Sequence, residues 1–159
     1  MALLQSLKVV GGYGTSAHPS EEQLEANSST FEKGAVLRYN GSGRLAEAGV
    51  DPVDIVGVAL EDGENGTDKK CRLCPAMPGV IFSGQIDDGI LNGTYALAAG
   101  DLGTAYGLTK DAGTGSWYVD QSKTGAQARV IVVGFGGAAA ADLNARVLFI
   151  FKQGQTAYA

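Results

Sequence analysis

Ala35-Val36-Leu37-Arg38-Tyr39-Asn40-Gly41-Ser42-Gly43-Arg44-Leu45-Ala46-Glu47-Ala48 sets two short strand patterns around a turn. β-Branched and aromatic residues suit a pleated surface, and Asn-Gly supplies the positive φ angles that a tight hairpin requires. Outward from this hairpin the same style continues. Asp51-Pro52 starts a turn, and Ile55-Val56-Gly57-Val58-Ala59-Leu60 is a β-branched run expected to be buried. Residues 61–68 form a polar loop. Residues 71–76 and 80–82 read as strands separated by Met77-Pro78-Gly79.

The second half repeats the pattern through Thr94-Tyr95-Ala96-Leu97, Ala105-Tyr106-Gly107-Leu108-Thr109 and Ser116-Trp117-Tyr118-Val119-Asp120. Ala128-Arg129-Val130-Ile131-Val132-Val133-Gly134-Phe135 is the strongest strand signal, and Arg146-Val147-Leu148-Phe149-Ile150-Phe151 closes the series. Val130, Val132, Val147, Phe149 and Phe151 are expected on a buried or subunit-facing side, because these strands are too apolar for water on both faces. Strands spaced about 8–12 residues apart, with turns between and no helical periodicity, predict an all-β barrel or sandwich of short antiparallel strands.

Residues 1–33 read differently, as an extended N-terminal arm ahead of a single β-rich domain at 34–159. Leu3, Leu4, Leu7, Val9 and Val10 are apolar but lie outside the main strand series, and a merely solvated tail would be more polar. Together with Tyr13 they are candidate partner contacts. Ser20-Glu21-Glu22-Gln23 has capping-box spelling and predicts one helical turn.

Composition narrows the function classes. Glycine occurs 24 times in 159 residues, about twice its usual share of about 7%. His18 is the single histidine, and formal net charge is −5. That charge argues against nucleic acid and against an anionic membrane surface. No stretch reaches the roughly 18 apolar residues of a membrane span, and the first residues lack a signal-peptide pattern, so synthesis in a cytoplasm is expected.

No motif assembles a catalytic or metal site. Cys71-Arg72-Leu73-Cys74 has no second ligand pair for zinc, and in a strand its thiols face opposite sides, so two reduced thiols are expected. The acidic loop at 61–68 lacks the EF-hand order of ligands. Asp87, Asp88 and Asp101 followed by turn residues are ordinary loop chemistry rather than a glycosidase pair. A Ser-His-Asp triad would need His18 on the arm, and the Gly-rich segments miss the phosphate-loop pattern. Trp117 and Tyr118, with Tyr106, suit either a sugar-stacking platform or core and subunit packing; Trp117 and Tyr118 join the candidate partner contacts. No enzyme activity, cofactor or metal is expected.

Phe31-Glu32-Lys33-Gly34-Ala35-Val36-Leu37, Gly41-Ser42-Gly43-Arg44-Leu45 and Ile55-Val56-Gly57-Val58-Ala59-Leu60-Glu61-Asp62-Gly63 together resemble the small head decoration (cement) proteins of tailed bacteriophages. The resemblance covers about thirty residues. It implies a small β-barrel that binds the outer surface of an assembled phage head and locks neighbouring major capsid subunits. It further implies a virion location after synthesis in the host cytoplasm, with two partners: the major capsid protein and the chain itself. Trimers are the favoured oligomer, with dimers and monomers also known. Two other readings stay open: a tail-tube or baseplate protein, and a carbohydrate- or receptor-binding module of a phage particle. A small hydrolase is the least supported.

Overall fold

The computed structural model describes residues 7–12, 19–27 and 29–158. The fold is all-β, with 3-10 turns at Ala99–Asp101 and Gly125–Gln127. The decisive hairpin forms as β3 (Val36–Tyr39) and β4 (Leu45–Glu47), with Leu37 opposite Glu47 and Tyr39 opposite Leu45. Its turn is longer than the two-residue type. Asn40 Oδ1 accepts the Ser42 and Arg44 N–H groups at 2.9 and 3.0 Å, and positive φ falls at Gly43 (70°) rather than Gly41. An Asn side chain that bonds the backbone ahead of it replaces the mirror-image turn.

Beside β3 runs β5 (Ile55–Ala59), then β6 (Lys70–Pro75), then β2 (Glu21–Leu24), so the sheet order is β2-β6-β5-β3-β4. Its two edges meet where Glu25 bridges Leu45 and the Ala26 N–H donates to the Leu45 carbonyl at 2.7 Å. Every residue of β5 is buried, as its β-branched sequence leads one to expect. A Cβ on Gly57 would collide with the Cys74 carbonyl and the Leu73 side chain, so glycine is what lets β6 come this close.

The other sheet closes into a barrel. β7 (Val80–Asp87), β11 (Arg146–Phe151), β10 (Val130–Gly134), β8 (Ala105–Lys110) and β9 (Trp117–Asp120) follow in that spatial order. β9 then returns to β7 in parallel, with Ile86 opposite Val119 and Asp87 opposite Asp120. Val130, Val132, Val147, Phe149 and Phe151 all point inward and are buried. Phe82 sits among them, 5.9 Å from the Phe149 ring and 4.9 Å from the Phe151 ring, centroid to centroid. Each such side chain contributes roughly 1.5–3 kcal/mol on burial.

The N-terminal segment is extended where it is described, and it finds its covering surface on its own chain. β1 (Lys8–Gly12) pairs antiparallel with the first half of β7, and a bulge falls between Val9 and Gly11. Leu7 is buried over Gly84, beside Phe149, in space that a β-carbon at Gly84 would fill. Val9 packs half-buried against the core, and Val10, at the bulge, is exposed. Leu3, Leu4, Tyr13 and His18 lie outside the described residues. The expected helical turn at Ser20-Glu21-Glu22-Gln23 is instead β2, whose residues pair with Lys70 to Leu73 of β6. The capping spelling is local, whereas the unpaired edge of β6 supplies four residues of ladder. Thr94-Tyr95-Ala96-Leu97, read as a strand, makes a single bridge from Ala96 to Leu143.

Candidate interaction surface

Both thiols are free and buried. Burial pushes Cys71 and Cys74 up to about 12, with nearby carboxylates (Glu61 for Cys71, Glu21 for Cys74) adding to it, so neither is a ready nucleophile. Among the described residues no three His, Cys, Asp or Glu side chains converge as metal ligands. No helix there is long and apolar enough to cross a membrane.

The buried carboxylates of the barrel are occupied by backbone N–H and side-chain hydroxyl donors. Asp87, at the end of β7, accepts the N–H groups of Asp88 (3.0 Å), Asn92 (2.9 Å) and Gly93 (2.5 Å). Asp120 accepts from Gly89 N–H at 3.1 Å, and from the Ser122 and Thr109 hydroxyls at 2.6 Å each. Asp101 accepts from the Tyr106 hydroxyl (2.6 Å), the Ala98 N–H (2.8 Å) and the Tyr95 hydroxyl (3.0 Å). Burial, then the Asp101 bond, pushes Tyr106 up to about 12; the same causes raise Tyr95. A carboxylate that accepts several N–H and O–H donors fixes the loops that carry them.

These loops and the neighbouring loop before β11 present large apolar side chains to water. Ile90 is 64% exposed, Leu102 54% and Leu143 57%. They belong to one end of the barrel. The Leu97 N–H bonds the Asp142 carbonyl at 3.0 Å, the Gly103 N–H bonds Val132 at 2.8 Å, and Ala96 bridges Leu143. Rigid loops carrying exposed apolar residues are a common form of protein-contact surface.

A second apolar prominence lies where the two sheets join. Val50 is 89% exposed and Val53 49%. Between and after them, Asp51 and Asp54 adopt positive φ (49° and 53°), uncommon for residues with a β-carbon. The barrel clamps this loop: Asp51 receives Lys123 Nζ at 2.6 Å and Gln127 Nε2 at 3.0 Å, and its carbonyl receives Arg129 Nη2 at 3.2 Å. The Lys123 bond holds the Asp51 carboxyl below its usual range. Beside the loop, Ala48, Val50, Leu108, Ala112 and Lys110 line a cleft of about 500 Å³.

Trp117 and Tyr118, expected as partner contacts, are corrected by their position: they are 2% and 1% exposed. Trp117 Nε1 donates to Glu47 Oε1 at 2.9 Å, and Lys110 Nζ reaches Glu47 Oε2 at 2.7 Å, so this corner joins the sheets. Val50, Val53, Ile90, Leu102 and Leu143 are exposed apolar residues that lie outside the contacts expected from the sequence. Their signal was available, as single large apolar residues set within Gly-, Asp- and Asn-rich turns. No protein-family model matches the chain, and no curated protein matches it.

Proposed function

We propose that this chain is a non-enzymatic decoration protein that binds the outer surface of an assembled phage head and ties neighbouring major capsid subunits together. The observation that carries the reading is the barrel end where Ile90 and Leu102 stand exposed on loops pinned by buried Asp87 and Asp101, beside exposed Leu143, whose loop is tied to the Leu97 backbone. Such a surface is suited to docking on a fixed lattice, because its loops are ordered before contact and little entropy is lost on binding. The likeness of residues 31–63 to head decoration proteins agrees with it, and those residues supply β3, β4 and β5. Repeated weak contacts to several subunits would raise occupancy through effective concentration.

The test is co-sedimentation of the purified chain with expanded, undecorated heads. The parent should pellet with heads at saturable stoichiometry. Replacing Ile90, Leu102 and Leu143 with Ser together should abolish pelleting while the melting temperature holds. Failure of the parent to pellet with heads, or full pelleting of the triple variant, overturns the reading.

A further inference from the structure

We propose that the chain pairs with a second copy of itself about a twofold axis, seating the Val50-Asp51-Pro52-Val53-Asp54 loop of each copy in an apolar recess of the other. The recess has a volume of about 420 Å³ and is lined by Pro78, Gly79, Ile131, Ile150, Phe151 and Lys152. Ile131 and Ile150 are directly opposed on β10 and β11, on the outward side of the strands whose other side fills the barrel. An outward strand face normally carries polar residues; here it carries isoleucines.

Loop and recess are neighbours on one side of the molecule. The Ile55 N–H, just past the loop, bonds the Gln155 carbonyl at 3.0 Å, and the Lys152 N–H, at the recess, bonds Arg129 at 2.8 Å. Arg129 in turn holds the Asp51 carbonyl. A protrusion and a hollow side by side make a self-complementary patch, and a twofold rotation sets each against its opposite.

Charge follows the same logic. Asp54 stands on the loop and Lys152 on the recess, and neither enters any ion pair formed among the described residues. Within one copy they do not meet; across the twofold axis each faces the other's counterpart. The clamp from Lys123, Gln127 and Arg129 fixes the loop before association, which lowers the ordering cost. This contact is separate from the barrel end assigned to the head and stands without that assignment.

The experiment is the solution mass of the full chain by light scattering over a dilution series, without capsids. The parent should weigh two chains of 16.3 kDa and dissociate on dilution. Asp54→Lys and Lys152→Asp should each weaken association by about tenfold or more, since like charges then face each other. An equimolar mixture of the two single variants should regain the dimer, because both contacts are again of opposite sign. Val50→Ser with Val53→Ser should give a monomer that melts like the parent's monomer. A monomeric parent, a mass other than two chains, or a mixture no tighter than its components overturns the proposal. Pelleting of the Asp54→Lys variant with heads reports on the decoration reading alone.

Discussion

The barrel and the second sheet use the same residue type in opposite ways. Between residues 19 and 76 there are 11 acidic and 6 basic side chains, and the acids mostly sit at the surface in ion pairs such as Arg44–Asp68, Lys69–Glu64 and Arg72–Glu61. From 77 onward there are 6 acidic side chains, and three of them, Asp87, Asp101 and Asp120, are buried and bonded to loops. Glu25 is the second sheet's buried counterpart, accepting the Glu64 N–H at 3.0 Å. The contrast teaches that acidity here has two jobs: net charge on one half, loop architecture on the other.

The largest effect should come from Asp101→Ala. It leaves two tyrosine hydroxyls and one N–H without their acceptor around a buried position, which should cost about 3–5 kcal/mol of stability. Urea unfolding measures this. A loss as small as that of a surface carboxylate would break the distinction between the two halves.

A middle effect concerns the second sheet's interior at high pH. Cys71 and Cys74 are held neutral up to about 12, so their contribution is complete below the ordinary thiol range. As pH rises above it, the unfolded chain releases these protons first, and stability falls through the folded value. The urea midpoint should therefore drop at alkaline pH, and less in a Cys71→Ala, Cys74→Ala variant. Thiol reagents should label the native chain slowly at neutral pH and rapidly once urea unfolds it. Fast native labelling would show that β6 opens independently of the barrel.

The smallest effect is expected at the surface of that sheet. Lys70 Nζ lies 3.9 Å from Glu22, with both side chains well exposed. Lys70→Ala should change stability by no more than about 0.5 kcal/mol, and less in high salt. A larger, salt-dependent loss would mean that the acidic half carries structural as well as surface charge.

Much of the strand series was legible because burial on one or both faces writes itself into residue choice. β5, β10 and β11 are apolar in the pattern their positions demand. β1 and β2 were not legible, since Lys8–Gly12 is short and glycine-rich and Glu21–Leu24 is polar. Each is a strand because a partner strand offers it an edge, and edges are tertiary facts. The parallel return of β9 to β7 has no sequence mark either. Aromatic character draws attention to Trp117 and Tyr118, which are buried, Trp117 against Glu47 of the second sheet. Isolated Val, Ile and Leu in turns are the large apolar side chains that stay exposed, because a turn has no interior in which to hide them.

β7 has a consequence for how the chain reaches its fold. Its hydrogen-bonded neighbours are β1, β9 and β11, and none follows or precedes it through a short hairpin. Residues 80–87 must therefore wait for partners drawn from residues 8–12, 119–120 and 146–149. Pairings so distant along the chain place refolding in the slow, millisecond-to-second regime of β-rich domains. During that wait Val80, Phe82 and Ile86 are uncovered beside open backbone edges, which exposes β7 to wrong pairings until its partners arrive.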